Sequence, residues 1–165
     1  MRQEQKRFRA WVEHVRTALE DIKDIDTVEL PDNKHRYLVI EYINGARVPS
    51  WLASDGTLRL LTLTIPAYVP DLEGTFLIEE PENGIHPRAI QTVLQSLSSM
   101  YRCQVLVATH SPVALNMLEP RDFLCFAKDA AGATDIVSGD RHPALRDWKK
   151  GEPDLGVLFA SGILS

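Results

Sequence analysis

The sequence predicts an α/β domain built in layers, with a largely parallel sheet flanked by helices. Three observations carry that expectation. Thr75-Phe-Leu-Ile78 and Gln104-Val-Leu-Val-Ala-Thr109 are short, largely apolar runs of the kind that form strands covered on both faces. Between them, Pro87 opens a segment whose Ile90, Leu94, Leu97 and Tyr101 fall on one helical face. Ser111-Pro112 then supplies a cap and a first-turn proline for another helix. Strand, helix, strand, helix is the pattern of a parallel layered sheet.

The remaining elements follow from the same periodicities. Phe8, Trp11, Val12, Val15, Leu19 and Ile22 form one apolar stripe, which predicts an amphipathic helix ending near the acidic stretch 24–33. Arg36 to Ile43 is rich in β-branched and aromatic residues and runs into Asn44-Gly45, a strand entering a tight turn with a short return to Val48. Leu58, Leu61, Ile65 and Tyr68 suit a helix that Pro66 ends or kinks. Residues 122–128 and 133–138 read as two strands around Gly132, and 155–164 as a docked terminal helix.

Composition narrows the function. The 165 residues suit one domain. An apolar fraction of 44% with 25% charged residues excludes a disordered or collagenous chain. The net charge of −5 argues against strong nonspecific binding to nucleic acid, although Arg2, Lys6, Arg7, Arg9 and Arg16 gather in the first helix. No apolar run approaches the ~18 residues of a membrane span, and the polar start is unlike a secretory leader. Cys103 and Cys125 have no metal-ligand spacing and suit a reducing, cytoplasmic setting as core residues. Five scattered histidines give no zinc pair, and no Gly-x-Ser-x-Gly supports a serine hydrolase.

Chemistry concentrates in three places. The first apolar strand ends in Glu79-Glu80-Pro81-Glu82, which puts carboxylates at the carboxyl edge of the sheet, where open α/β sheets bind ligands. Neighbouring strand residues face opposite ways, so one of Glu79 and Glu80 can face a hard cation while the other orients or deprotonates a water. His110 sits at the end of the second strand, directly before a helix start, able to donate to a phosphate oxygen. Ser54-Asp55-Gly56 precedes a helix, where serine can cap and glycine can let backbone N–H groups approach an anion. Each piece alone has a plain structural reading: an acidic turn, a satisfied histidine, a helix cap.

Taken in order, the pieces resemble the second half of an ABC-type ATPase domain of the non-transporter branch. That branch holds the structural-maintenance-of-chromosomes relatives, the overcoming-lysogenization-defect nucleases and the predicted AAA-type ATPases of bacterial defence. Ala53-Ser-Asp-Gly-Thr57 resembles the signature loop, Phe76-Leu-Ile-Glu-Glu80 the Walker B strand, Glu82-Asn-Gly-Ile-His-Pro87 the D-loop, and His110 the switch histidine. The resemblance spans Ala53 to Pro112, is weaker afterwards and is loose over the first fifty residues. It implies a P-loop-NTPase-like lobe over 51–165, led into by a helix and strand region over 1–50. It implies ATP with Mg²⁺ as ligands and a head-to-tail homodimer, with nucleic acid or an effector protein as a further partner.

Carried over residue by residue, Glu79 stands at the metal-holding acid, where the family more often has aspartate. Glu80 stands at the carboxylate that polarises the attacking water, and His110 at the γ-phosphate contact. Ser54 and Gly56 stand at the loop touching a partner subunit's nucleotide, with Asp55 between them in place of the usual glycine, its carboxylate turned away from the phosphates. Asn83 and His86 stand in the loop that crosses the dimer interface, His86 in place of the usual aspartate.

No G-x-x-x-x-G-K-[ST] occurs in these 165 residues. The resemblance therefore implies half of a nucleotide site, completed by a P-loop from a longer protein or another chain, or else a remnant that contributes its signature loop to a partner and does no chemistry. A further expectation is an exposed sheet edge beside the acidic strand, free to associate or covered by the first helix.

Overall fold

The computed structural model describes residues 2–31, 35–146, 148 and 154–164. They form two compact units, 1–109 and 110–165.

The first unit opens with helix α1 (Arg2–Arg16), whose Trp11, Val12 and Val15 are buried as the stripe predicts. The stripe overreaches at its end. Ile22 does not continue the helix but begins strand β1 (Ile22–Glu29), so the acidic stretch expected to terminate a helix is itself extended. Pairing explains this: Ile22 and Ile25 are fully buried and pair across to the next strand, a register shift between Ile22 and Asp24 bringing both to the covered face while Lys23 stays exposed.

Strand β2 (Arg36–Tyr42) runs antiparallel to β1, with Ile25 opposite Ile40 and Glu29 opposite Arg36. After the Asn44-Gly45 turn, where Gly45 holds φ +84°, β3 (Arg47–Pro49) returns along β2. Proline is tolerated because β3 is an edge strand.

Helix α2 (Asp55–Thr64) follows, and Pro66 converts its continuation into a 3₁₀ turn over 65–68. Thr64, fully buried, accepts from the Trp11 indole Nε1 at 2.9 Å and donates to the Leu60 carbonyl at 2.8 Å, fastening α1 to α2. The His14 Nδ1 and the Tyr68 hydroxyl lie 2.6 Å apart, and burial depresses the imidazole pKa.

Strand β4 (Gly74–Glu79) and strand β5 (Cys103–Ala108) pair in parallel, connected through helix α3 (Pro87–Ser98). The chain is thus α/β, with a parallel sheet and flanking helices. Alternation places Phe76, Ile78, Val105 and Val107 against the core formed with α1, α2 and α3. The other face corrects an expectation. The runs read as covered on both sides, yet Leu77 is 77% exposed and Leu106 50%. Among the described residues no third strand joins this pair. Helix α1 packs on α2, β1 and the 3₁₀ turn. Tyr101, expected on the buried face of α3, lies beyond the helix and is exposed, whereas Val93 and Ser96 fill that face.

The second unit contains helix α4 (Pro112–Leu115), a hairpin of β6 (Leu124–Lys128) and β7 (Thr134–Ser138), and helix α5 (Leu155–Ala160). Leu115, Leu145, Leu155 and Leu158 form its core. The terminal helix stops at Ala160, earlier than its apolar pattern suggests. Cys103 and Cys125 are unpaired with each other and partly buried.

Candidate functional site

The acidic strand end is shaped by its backbone. Glu79 continues the β4 pleat and points to the uncovered face, exposed; Glu80 is half-buried. Glu80 leaves the strand through φ +47°, a left-handed conformation unusual for a side chain with a Cβ. Such a conformation costs of order 1 kcal/mol or more and persists only when neighbours enforce it. Here three hydrogen bonds do. The Glu80 N–H donates to the Ala108 carbonyl of β5 at 2.8 Å, and its carbonyl accepts from the Asn83 N–H at 3.0 Å. The same carbonyl accepts from the Arg59 guanidinium at 2.8 Å. Pro81, fully buried, fixes the next residue of the turn.

The turn then meets helix α2. Gly84 adopts φ +73°, and its carbonyl faces Gly56 so closely that a Cβ on Gly56 would lie 2.5 Å from that oxygen. The sequence suggests anion approach for this glycine; the structure adds a packing requirement. Ser54 caps α2, its Oγ accepting from the Thr57 N–H at 3.2 Å and lying 2.9 Å from the Thr57 hydroxyl. Asp55 occupies the first helical position, exposed, where a carboxylate complements the helix dipole. His86 caps α3 through Nδ1, which accepts from the Arg88 N–H at 3.3 Å. Ser54, Gly56, Gly84, Ile85 and His86 thereby line one shallow cavity of about 280 Å³. Asn83 is exposed on the same turn.

His110 opens the second unit, exposed, with its ring 6.4 Å from that of Phe159 in a near-stacked arrangement. Ser111 beside it is buried and caps α4. Of the basic residues of α1, Arg9 pairs with Asp24 at 2.5 Å and Arg16 with Glu13 at 2.9 Å.

Sequence reasoning missed the parts played by three residues. Arg59 was hidden because a helical arginine is ordinarily a surface charge. Glu82 and Thr109 join the turn to the end of β5, the hydroxyl donating to Glu82 Oε1 at 2.6 Å. Nothing in the spacing marks a pair 27 residues apart. Among the described residues no three His, Cys, Asp or Glu side chains gather to hold a metal ion.

Residues 9–116 match the family described as "AAA domain, putative AbiEii toxin, Type IV TA system". The chain belongs to that family. This AAA domain, a nucleotide-binding ATPase type, is also similar to a solved chain from work described as "Structural biochemistry of ATP-driven dimerization and DNA stimulated activation of SMC ATPases". The two share 14% identity and superpose with a TM-score of 0.59, over 89% of this chain and 91% of that one. The likeness shows a P-loop NTPase fold. Among the described residues of the AAA domain, no helix is long and apolar enough to cross a membrane.

Proposed function

We propose that the chain is the C-terminal portion of an ABC-type ATPase that binds and hydrolyses ATP as a head-to-tail dimer, in bacterial defence or DNA maintenance. The lobe occupies 51–165 and the region 1–50 leads into it. The observation that carries this reading is Glu80: a carboxylate on a strained, triply fastened turn at the carboxyl end of a parallel strand. Strain held by surrounding structure is where function is sought. In this role Glu80 orients and polarises the water that attacks the γ-phosphate, and His110 donates to that phosphate. Ser54 and Gly56 at the start of α2 face a partner's nucleotide with the Asp55 carboxylate turned away from its phosphates, and Asn83 and His86 line the crossing loop.

Mg²⁺ is ordinarily held by one or two carboxylates together with substrate phosphates, so a lone exposed Glu79 fits without a preformed cage. The ion would supply charge neutralisation at the phosphates. The P-loop comes from elsewhere, in a longer protomer or a partner chain. The uncovered face of β4 and β5, with Leu77 and Leu106 exposed, supports a sheet completed by further structure.

In the full-length protein, Glu80→Gln is expected to keep ATP binding and lose most turnover. Turnover within twofold of the parent would remove Glu80 from this role. A second reading makes the chain a non-catalytic subunit that presents Ser54 and Gly56 to a partner's nucleotide. The cavity beside those residues supports it, and a partner that turns over ATP only with this chain present, yet tolerates Glu80→Gln, would decide for it.

A further inference from the structure

We propose that Arg59 is a positioning residue that sets the backbone of Glu80 from helix α2; the consequence for turnover rests on the role given to Glu80 above. Arg59 lies one turn into α2, the helix whose start carries Ser54 and Gly56. Its guanidinium reaches across to the strand end and donates to the Glu80 carbonyl at 2.8 Å, with the Glu79 carbonyl at the outer limit of bonding, 3.4 Å away. It has no carboxylate within ion-pair distance among the described residues, although Glu79, Glu80 and Glu82 are all nearby in the chain it contacts. A cation spent on main-chain oxygens fixes backbone rather than neutralising charge, and a charged donor makes that bond stronger than a neutral one.

The target is the residue that most needs fixing. Glu80 holds φ +47°, where a residue with a Cβ relaxes toward extended backbone unless restrained. The Ala108 bond restrains the N–H side of Glu80. On the carbonyl side the Asn83 N–H belongs to the turn itself, so Arg59 is what ties that peptide to a separate element. Because Ser54, Gly56 and Arg59 share one rigid helix, any shift at the start of α2 is delivered to the Glu80 peptide. A carboxylate displaced by even ~1 Å loses much of its value in orienting a water.

The test pairs a backbone readout with a kinetic one. Glu80 Cα and Cβ chemical shifts and amide exchange are measured in the 165-residue chain for the parent, Arg59→Ala and Arg59→Lys, with circular dichroism confirming the fold. Turnover and ATP affinity are measured for the same variants in the full-length protein beside Glu80→Gln. Arg59→Ala is expected to move the Glu80 shifts out of the left-handed range and speed exchange of its amide about 10-fold or more. It is expected to lower turnover at saturating ATP about 10- to 100-fold with ATP affinity unchanged, and lysine, which keeps a charged donor, is expected to recover most of both. Unmoved Glu80 shifts in Arg59→Ala overturn the proposal. So does full turnover in Arg59→Ala when Glu80→Gln is dead. Full turnover in Glu80→Gln instead refutes the role of Glu80, while the carbon shifts still decide whether Arg59 holds its backbone.

Discussion

Replacing Gly56 with alanine sets two effects of opposite sign against each other. Gly56 sits in the first turn of α2 with ordinary helical backbone, so propensity alone makes alanine the better residue by up to ~1 kcal/mol. Packing says the reverse. The added methyl would lie 2.5 Å from the Gly84 carbonyl oxygen, where ordinary contact begins at 3.4 Å. Helix and turn must therefore part by roughly 0.9 Å, and both obstructing groups are backbone, which cannot swing aside as a side chain would. Overpacking of this kind costs about 1–3 kcal/mol. The clash outweighs the gain in propensity, and the net expectation is a loss of about 1–2 kcal/mol. Urea unfolding of the chain, followed by Trp11 fluorescence in a background where Trp51 and Trp148 are phenylalanine, should show a midpoint lower by about 0.5–1 M with an unchanged slope. A midpoint at or above that of the parent would mean that propensity prevails and that the close approach of Gly84 to α2 is absent.

Other outcomes follow from the same contacts. Thr64→Val keeps the shape but strands the buried Trp11 N–H, and should cost about 1–3 kcal/mol in the same unfolding assay. Glu80→Gly removes a Cβ from a left-handed position, so calorimetry of this chain should show stability higher by up to about 1 kcal/mol, even as phosphate release by the full-length protein disappears. Burial holds the His14 imidazole below its usual pKa, so the unfolded chain takes up that proton first. Its contribution to stability is then complete above pH about 6.5 and is lost as pH falls through the folded value. Comparing His14→Gln with the parent at several pH values should show the parent's extra loss on the acid side, and parallel curves would contradict it.

Local rules made much of this chain legible. The buried face of α1, the Asn44-Gly45 turn, the proline break after α2 and the caps at Ser54 and Ser111 each depend on neighbours a few residues away, and each is where periodicity and capping chemistry put it. The misjudged points depend on what lies across space. Ile22 carries the helical spacing of α1 but is claimed by the pairing of β1 with β2. Tyr101 continues the spacing of α3 past the point where the helix ends. The candidate site shows the same division. Adjacent carboxylates at a strand end are visible in sequence, whereas the left-handed turn at Glu80, the close pass of Gly56 over Gly84 and the reach of Arg59 are not, because each joins residues that only folding brings together.

The two faces of β4 and β5 differ in what covers them. Thr75, Leu77, Gln104 and Leu106 lie on the uncovered side, and a strand suited to solvent there would alternate apolar with polar residues throughout. Leucines 77% and 50% exposed break that alternation at adjacent, paired positions, Leu77 opposite Leu106. Single exposed apolar residues are commonplace, but two that face each other across a parallel ladder make a continuous surface. Sequence pattern reports the environment for which a segment is suited, and paired leucines suit a covered face better than solvent. Leu77→Lys with Leu106→Thr therefore leaves this chain folded and raises its solubility, since neither side chain supports the described core. If the sheet face is where the remainder of an ATPase packs, the same pair of substitutions should abolish association with a P-loop-bearing partner, measured by light scattering. Association undiminished by both changes would place that partner elsewhere.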